Sequence, residues 1–429
     1  MSTESERERA VLVGAPPANM SQGMVDEHLA ELGRLADTAG ADVQGVLVQR
    51  LSSPHASTYI GRGKIEQLGC VMKETDATLA IFDEDLSPAQ GSNLESALDA
   101  RVIDRTELIL DIFAIRARSA EAKLQVELAQ LFYMRPRLKR MWTHLSRIGG
   151  GIGARGPGEQ QIETDRRLID RRIARLRGLL DQIARSRGTQ RKARQQQFTI
   201  ALVGYTNAGK SSILRELSGS DVFVEDRLFA TLDSATRVCD LGQGLQILVT
   251  DTVGFIRKLP HHLVASFGAT LEEVVEADLL LHVIDASAST WEEQRDAVDD
   301  VLREAGAGDR PTILVLNKID RLTHAEERAV RERSEALLGP HVFTSVLEEG
   351  GVEPLREALR GAARATLETV KVTIPAADGR TVAEAYREGE VLAEEVVAGS
   401  IVLTARVPAA VVGRWRATTG IVVEQPDAA

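Results

Sequence analysis

The chain lacks most features that mark secreted, membrane or metal-binding proteins. Its 429 residues include only two cysteines, Cys70 and Cys239, which lie far apart without the spacing of metal ligands. We expect both to be buried apolar fillers without a redox role. The eight histidines form no HExxH motif and no Cys/His cluster, which argues against a zinc site.

Long apolar runs are also missing. No segment approaches the length of a membrane span. The first ten residues are polar and charged, without the apolar core of a signal peptide. We therefore expect a cytoplasmic protein with no membrane span. A chain of 429 residues is too long for one hydrophobic core, which predicts several domains.

Basic charge is concentrated in one region of an acidic chain. Residues 116–196 carry 20 Lys and Arg against 7 Asp and Glu, a net +13, whereas the whole chain is −11 and the remainder therefore −24. Apolar residues recur there at intervals of three and four, which predicts two helices, each with one apolar stripe. The recurring residues are Leu124, Leu128, Leu131, Ile169, Ile173, Leu176, Leu180 and Ile183.

Between the two helical patterns lies the loop Gly149-Gly-Gly-Ile-Gly-Ala-Arg155-Gly-Pro-Gly158. It is too rich in glycine to be helix or strand. The sequence thus predicts a helical hairpin with an arginine-bearing tip, and its excess of cations favours a phosphate-rich partner such as RNA. The alternative is that the arginines only solvate the outer faces of two long helices.

A phosphate-binding P-loop is predicted at Gly204-Tyr-Thr-Asn-Ala-Gly-Lys210-Ser211, between a strand-like run from Phe198 to Val203 and a helical pattern. Its glycines let the backbone aim N–H groups at phosphate oxygens, Lys210 reaches the β/γ-phosphates, and Ser211 holds Mg²⁺. The predicted nucleotide contacts in this segment are Gly204, Tyr205, Thr206, Asn207, Ala208, Gly209, Lys210, Ser211 and Ser212.

Three further motifs, each after an apolar strand, identify the nucleotide as GTP or GDP. Asp251-Thr252-Val253-Gly254 predicts a carboxylate that holds Mg²⁺ through water and a glycine N–H that senses the γ-phosphate. In Asn317-Lys318-Ile-Asp320, the carboxylate accepts from two guanine donors that adenine lacks, while Asn317 and Lys318 brace the P-loop and the base. Ser345-Val346, a weaker motif, predicts backbone contacts to the guanine oxygen.

The flanking segments predict two smaller domains. Four strand-like and three helix-like runs alternate in residues 10–104, and Ser87 to Gln90 predicts a capping box at the third helix. The strands are Ala10 to Val13, Val43 to Val48, Thr78 to Phe82 and Arg101 to Asp104; the helices are Val25 to Thr38, Ile65 to Glu74 and Ser87 to Leu98. The C-terminal runs are Val370 to Ile374, Thr381 to Arg387, Val391 to Val397 and Ser400 to Val407.

Two N-terminal loops are candidates for contacts. One is the acidic turn that follows Phe82. The other is Tyr59-Ile-Gly-Arg62-Gly-Lys64, which could bind phosphate or simply cap a helix.

The predicted fold class is therefore α/β multidomain. A P-loop GTPase domain with a parallel-rich sheet spans residues 197–365. A small α/β domain (residues 1–105) and a basic helical hairpin (106–196) precede it, and a small α+β domain (366–429) follows it.

With these motifs in place, the chain resembles the HflX family of ribosome-associated GTPases over nearly its full length. The resemblance rests on Tyr59 to Lys64, Asp104-Arg-Thr-Glu-Leu-Ile-Leu-Asp111-Ile-Phe, Gly149 to Glu159, the P-loop, Phe229-Ala230-Thr231-Leu-Asp233 and Asp251-Thr-Val-Gly-Phe255-Ile. It implies binding to the large ribosomal subunit and its RNA, GTP hydrolysis stimulated by the ribosome, and splitting or rescue of stalled ribosomes. We expect a monomer when the protein is free.

The resemblance also assigns roles to residues. Thr231 resembles the switch-I threonine that closes over Mg²⁺ and the γ-phosphate, with Phe229 and Ala230 beside the nucleotide. Lys210, Thr231 and Gly254 are the predicted catalytic residues, and Ser211, Thr231 and Asp251 the predicted Mg²⁺ ligands. Asn207 resembles the P-loop asparagine of potassium-stimulated GTPases, which predicts a K⁺ ligand, although a simple turn residue is the alternative.

Phe255 departs from the wider GTPase pattern. Many signalling GTPases carry a glutamine there that orients the attacking water, which phenylalanine cannot do. We expect slow hydrolysis in the free protein. Two other functions stay open at this point: a potassium-dependent GTPase of a tRNA-modifying complex, and a scaffold that holds GTP without hydrolysing it.

Overall fold

The computed structural model describes residues 7–138, 157–192, 197–219, 227–242, 245–258, 268–336, 339–397 and 399–425. Contacts divide the chain into two compact units. The first comprises Met1–Ala184, Glu225–Asp233 and Lys258–Ala269; the second comprises Arg185–Val224, Ser234–Arg257 and Thr270–Ala429.

The first unit contains a four-stranded parallel sheet with the order β2-β1-β3-β4. Its strands are β1 (Glu8–Gly14), β2 (Ala41–Val48), β3 (Leu79–Phe82) and β4 (Arg101–Asp104), and its alternating helices are α1 (Gln22–Ala39), α2 (Arg62–Glu74) and α3 (Pro88–Leu98). Every residue of β3 is buried, as in a parallel sheet covered on both faces. The predicted strands and helices of this region are confirmed, with ends shifted by at most three residues.

The predicted capping box is also confirmed. The Ser87 hydroxyl accepts a hydrogen bond from the Gln90 N–H (3.3 Å), and the Gln90 side-chain oxygen accepts one from the Ser87 N–H (2.9 Å). Pro88 occupies the first helical position, where its missing N–H costs nothing. Helix α3 therefore begins where its sequence places it.

Three further helices complete this part of the chain. Helix α4 (Arg105–Arg116) follows β4 directly, α5 (Ala120–Met134) leads into a 3₁₀ turn, and α6 spans Pro157–Lys192. Helices α5 and α6 pack through Leu128, Ile173 and Leu176, as their apolar stripes predict. Most of the predicted glycine loop lies outside the described residues. Its last two positions, Pro157 and Gly158, were wrongly assigned to the loop and begin α6 instead, because proline is tolerated in a first helical turn.

The second unit contains a six-stranded sheet with the order β10-β9-β8-β5-β7-β6, parallel except for the β6–β7 pair. Its strands are β5 (Phe198–Gly204), β6 (Ala235–Asp240), β7 (Gln246–Asp251), β8 (Leu279–Asp285), β9 (Thr312–Asn317) and β10 (His341–Phe343). Its helices are α7 (Lys210–Ser218), α8 (Gly268–Glu276), α9 (Trp291–Glu304), α10 (His324–Ala336) and α11 (Glu353–Ala365). Parallel strands bring the loops after β5, β7 and β9 to one edge of the sheet.

The end of the chain forms an antiparallel sheet with the order β12-β13-β11-β14. It comprises β11 (Glu368–Pro375), α12 (Gly379–Glu388), β12 (Glu390–Val397), β13 (Ser400–Val407), α13 (Ala409–Ala417) and β14 (Val422–Glu424). The first four elements are confirmed predictions. Helix α13 was not predicted, since its Ala-Ala-Val-Val-Gly start has no helical polar pattern, but burial of Trp415 in the core fixes it.

The two cysteines differ. Cys239 is fully buried on β6, as predicted, whereas Cys70 is exposed, so its predicted burial is wrong. Helix α2 buries Leu68 and Met72, and residue 70 projects from the opposite side of that helix. In the described part of the chain, no helix is long and apolar enough to cross a membrane.

Candidate functional site

The loop after β5 has the backbone geometry of a phosphate cradle. Gly204 has φ 147° and Gly209 has φ 101°, a region that favours glycine. Space is equally restrictive, because a Cβ at Gly204 would lie 2.2 Å from the Val283 carbonyl oxygen and one at Gly209 would lie 2.3 Å from the Asn317 amide nitrogen. Both glycines are required by shape, and helix α7 begins with its N–H groups at this loop.

Lys210 is the buried cation of the site. Its ammonium donates to the carbonyl oxygens of Gly204 (3.0 Å) and Tyr205 (2.9 Å), and its residue is 6% exposed. Burial lowers the pKa of Lys210 to about 8, an effect that the negative charge of Asp251 opposes and Lys318 reinforces. A phosphate here would replace the two carbonyl acceptors and favour the charged form.

Ser211 and Asp251 supply the oxygen ligands that Mg²⁺ prefers. The Ser211 hydroxyl donates to Asp251 Oδ2 at 2.6 Å, and Asp251 is 1% exposed at the end of β7. Hydroxyl and carboxylate lie beside Lys210, where phosphate oxygens would complete the coordination. The donor set therefore fits a magnesium ion bridging protein and nucleotide.

The segment after Asp251 passes closely over the P-loop. A Cβ at Gly254 would lie 2.7 Å from Thr206 Cα, so only glycine fits. The Phe255 N–H donates to the Gly204 carbonyl (3.1 Å), and the Phe255 carbonyl accepts from the Thr206 N–H (2.7 Å). The Phe255 side chain is 5% exposed, and its apolar ring has no hydrogen-bonding group with which to orient a water.

Four side chains at or after the ends of β9 and β10 make up the predicted base site. Asn317 Nδ2 donates to the Ala208 carbonyl (3.0 Å), and Lys318 Nζ donates to the Asn207 carbonyl (2.7 Å) and to Asp285 (2.6 Å). The Ser345 hydroxyl donates to one oxygen of Asp320 (2.7 Å). Asn317 and Lys318 thus brace the loop, and Ser345 orients the carboxylate that would read guanine.

The other predicted contacts lie on these same elements of the second unit. Thr252 donates its hydroxyl to the Leu202 carbonyl (2.6 Å), the Tyr205 hydroxyl accepts from the Arg257 N–H (2.9 Å), and Asn207 has a positive φ of 60°. Ala208 is buried in the core, Val346 packs against that core, and Ser212 and Val253 are half-buried.

The predicted switch-I residues Phe229, Ala230 and Thr231 belong to the first unit. We call described residues 227–233 the switch-I segment. Its apolar residues Leu228, Phe229 and Leu232 are 5%, 1% and 3% exposed, and Asp233 accepts hydrogen bonds from the start of α5. The segment is therefore docked on the first unit.

An ionic network within the first unit was not predicted. Arg105, 1% exposed, forms ion pairs with Glu31 and with Asp83 (2.8 Å to Asp83). Lys258, four residues after Gly254, contacts Asp83 at 3.0 Å and Glu84 at 3.7 Å. These partners are far apart in sequence, so no local pattern could pair them. A cavity of about 320 Å³ adjoins the Asp83 and Lys258 end.

The N-terminal candidate loops are engaged internally. Arg62 pairs with Glu66 (3.3 Å), Lys64 donates to Gln67 (3.0 Å), and Gly61 is the N-cap of α2, which supports the helix-capping alternative. In the acidic loop after β3, Asp85 accepts from the Thr106 hydroxyl (2.6 Å).

The arginines of the basic region fall into two classes. Arg137 donates to Asp104 (3.0 Å) and to the Leu86 carbonyl (2.8 Å) and stacks on Tyr133 (3.5 Å), so it is a structural residue. By contrast, Arg166, Arg175 and Arg185 on α6 are exposed. Lys139, Arg140 and Arg155 lie outside the described residues.

Comparisons with known proteins agree with this geometry. Family profiles match residues 26–114 as a GTP-binding GTPase N-terminal region, residues 116–194 as a GTP-binding GTPase middle region, and residues 199–318 as a 50S ribosome-binding GTPase. The last match contains the P-loop, Asp251 to Gly254 and Asn317. The GTPase fold and its parallel-rich sheet are thereby confirmed.

Relatives match almost the whole chain. GTPase HflX of Magnetococcus marinus is 45% identical over 91% of this chain and 90% of its own length. GTPase HflX of Escherichia coli is 43% identical over 89% of this chain and 90% of its own length. A solved GTP-binding protein from Sulfolobus solfataricus in complex with GDP aligns with 83% of this chain and 99% of its own at 26% identity, with a TM-score of 0.44. The chain belongs to the HflX family of GTPases.

Proposed function

We propose that this GTPase binds the large ribosomal subunit and uses GTP binding and hydrolysis to split or rescue stalled ribosomes. The observation that carries the proposal is the match of residues 199–318 to a 50S ribosome-binding GTPase family, on a chain whose residues 116–196 carry a net +13. The relatives named GTPase HflX over about nine-tenths of the chain support it.

The proposed chemistry uses residues of the second unit together with Thr231 of the first. Lys210 and the P-loop N–H groups would neutralise the phosphates, and Ser211 and Asp251 would hold Mg²⁺, which would supply stabilisation of the charge on the transferred phosphoryl group. By its resemblance to a switch-I threonine, Thr231 would contact the metal and the γ-phosphate, and the Gly254 N–H would donate to that phosphate. Asp320 reads guanine, with backbone contacts from Ser345 and Val346.

The buried Phe255 makes hydrolysis dependent on a partner. Its apolar ring cannot orient an attacking water, so intrinsic turnover is slow and the ribosome supplies the missing arrangement. Asn207 is the proposed K⁺ ligand. If so, turnover in KCl exceeds turnover in NaCl at equal ionic strength, and Asn207→Ala removes the difference; equal rates in both salts contradict a K⁺ role.

Of the two other functions, neither is favoured by an observation. A GTPase of a tRNA-modifying complex lacks support from the family matches, and a scaffold that never hydrolyses GTP conflicts with membership of a GTPase family.

Single-turnover GTP hydrolysis, measured with and without purified ribosomes, tests the proposal. Stimulation by large subunits, together with GTP-dependent conversion of 70S particles to subunits in sedimentation, is the expected result. Hydrolysis that ribosomes leave unchanged would contradict ribosome dependence. Stimulation without subunit separation would exclude splitting and retain ribosome binding.

The hairpin is the proposed ribosome-sensing element. If about six phosphate contacts form, affinity for large subunits falls about 10³-fold over a fourfold rise in salt. Lys139, Arg140 and Arg155 should be changed to Ala together, and Arg137 left intact because it holds Asp104. The matched control changes Lys371, Arg328 and Arg416 to Ala, which are likewise one lysine and two arginines and are exposed on the other unit. Unchanged affinity in the hairpin variant would mean that its arginines only solvate helices.

A further inference from the structure

The anchor of the switch-I segment is the N-terminus of helix α5. Asp233 Oδ2 accepts from the N–H groups of Arg118 (3.2 Å) and Ser119 (3.1 Å), and its other oxygen accepts from the Ser119 hydroxyl. A carboxylate at this place satisfies backbone donors that precede the helix and lies at the positive end of its dipole.

The Ser119 hydroxyl makes hydrogen bonds to both helix α5 and the switch-I segment. The same hydroxyl oxygen that donates to Asp233 accepts from the Ala122 N–H (3.0 Å) as the N-cap of α5. A rearrangement of residue 233 therefore changes the cap of α5. Because α5 packs on α6 along the basic hairpin, the cap connects the switch-I segment to the proposed ribosome-sensing element.

A second anchor lies on the other side of Thr231. The Phe229 ring packs edge-on against Phe113 of α4, with centroids 4.7 Å apart and an interplanar angle of 84°. Phe229 is 1% exposed and has a positive φ of 55°, which is unusual for a bulky residue and requires support from surrounding structure. Thr231 is thus two residues from a buried aromatic anchor and two from a carboxylate anchor.

We infer that Ser119, Asp233 and the Phe113–Phe229 pair are positioning residues for GTP hydrolysis, which hold Thr231 and couple it to helix α5. This inference rests on the proposed role of Thr231 and extends it. Fixing both flanks of Thr231 reduces the conformational entropy lost when its hydroxyl and carbonyl close over the metal and γ-phosphate. GDP lacks the γ-phosphate, so its affinity does not depend on the bonds between Ser119 and Asp233. Coupling is reciprocal: a ligand of the hairpin changes affinity for GTP as GTP changes affinity for that ligand.

The test uses the full chain and three variants. Ser119→Ala removes the cap of α5 and the hydroxyl bond to Asp233, and retains the two backbone bonds to Asp233. Ser119→Thr retains a hydroxyl that can make both side-chain bonds. Asp233→Asn weakens the anchor but leaves the Ser119–Ala122 bond in place. Ser87→Ala is the control, because Ser87 caps α3 of the same unit with the same chemistry.

We expect Ser119→Ala and Asp233→Asn to lower turnover on large subunits at saturating GTP about tenfold, with the dissociation constant for GDP within twofold of wild type. Ser119→Thr restores turnover, and Ser87→Ala retains it. If Ser119→Ala does not fold, Asp233→Asn carries the test. If Ser119→Ala and Asp233→Asn turn over GTP as fast as Ser87→Ala, or faster than wild type, the inference is overturned. Faster turnover would mean that the anchor restrains hydrolysis.

A measurement without ribosomes separates this inference from the proposed function. The ratio of affinities for a non-hydrolysable GTP analogue and for GDP should fall about fivefold in Ser119→Ala and stay constant in Ser87→Ala. If wild-type turnover is not stimulated by ribosomes but the ratio falls, the ribosome proposal fails and the anchor stands. If stimulation is present and the affinity ratio is constant in every variant, the inference about the anchor is wrong and the ribosome proposal is retained.

Discussion

At the carboxyl ends of their strands, the parallel sheets of the two units carry different side chains. The six-stranded sheet presents Lys210, Ser211 and Asp251 beside a glycine cradle. The four-stranded sheet presents Asp83 and Asp104, which are already paired with Arg105 and Arg137. Both are α/β sheets of the kind that binds ligands at this edge.

The difference lies in what the buried charges contact. Among the described residues, the Lys210 ammonium donates to two backbone carbonyls, acceptors that an incoming phosphate can replace. Arg105 is held by two carboxylates, Glu31 and Asp83, which no phosphate would displace. Burial raises the pKa of Asp104, yet the charge of Arg137 and two backbone N–H groups oppose the shift. The edge of the six-stranded sheet is therefore arranged to bind an anion, whereas the charges at the edge of the four-stranded sheet hold helices of the first unit together.

The largest effect should come from removing the P-loop side chains. Lys210→Ala and Ser211→Ala should weaken GTP binding by about 10³-fold or more, because charge-assisted phosphate bonds and a metal ligand are lost. Nucleotide titration by fluorescence measures this, and circular dichroism should show an unchanged fold. Lys64→Ala is the control, because Lys64 also follows closely spaced glycines, Gly61 and Gly63, and lies in the first turn of a helix, α2. Equal losses of GTP affinity in Lys64→Ala and Lys210→Ala would contradict the difference proposed between the edges of the two sheets.

Arg105→Leu should lower the free energy of unfolding and leave nucleotide affinity unchanged. Removing one partner of a buried ion pair leaves Glu31 and Asp83 without their shared cation, which costs about 3–5 kcal/mol. Chemical denaturation with a probe in the first unit should show that loss, while GDP affinity stays within twofold. Arg101→Leu is the control, since Arg101 pairs with carboxylates at the surface, where pairs contribute about 0–1 kcal/mol. Similar destabilisation by both variants would remove the distinction between buried and surface pairs.

These two sites also differ in how far sequence predicts them. The phosphate cradle follows from a local pattern, since glycine at residues 204 and 209 and the adjacent Lys210 have fixed spacing and fixed chemistry. The pairs Arg105–Asp83 and Asp233–Ser119 join residues 22 and 114 positions apart, and many carboxylates and arginines could have formed them. The wrong prediction that Cys70 is buried has a related cause, because a short apolar side chain on an amphipathic helix can lie on either face.

Asp320→Asn should reduce GTP affinity about 100-fold and shift preference toward xanthine nucleotides. Hydrogen bonds to a charged acceptor contribute about 1.5–3 kcal/mol each, and an amide can donate to the xanthine oxygen that replaces the guanine amine. Competition titrations with GTP and xanthosine triphosphate measure both effects. Asp296→Asn, an exposed carboxylate on α9, is the control. Unaltered GTP affinity would show that Asp320 does not read the base.

The smallest expected effect is a pH dependence that belongs to Lys210. Its pKa in the free protein is lowered to about 8 by burial, whereas bound phosphate would raise it. Affinity for GDP should therefore fall by about twofold from pH 7 to 8 and by up to about tenfold per pH unit above 8, because binding then requires uptake of a proton. The stability of the free protein moves the other way. Since its unfolded chain binds more protons between pH 8 and the ordinary lysine pKa, the free energy of unfolding rises with pH in that window.

Fluorescence titration of GDP between pH 7 and 9 measures the affinity change. Lys210→Arg is the matched control, because guanidinium stays charged throughout this range; any pH dependence that it retains comes from the nucleotide or from other groups. At the edge of the four-stranded sheet, Arg105 cannot lose its proton, so the first unit should show no corresponding alkaline change. A GDP affinity that is independent of pH in the wild type would mean that Lys210 remains charged without nucleotide, and that its backbone carbonyl partners stabilise the ammonium as well as carboxylates stabilise Arg105.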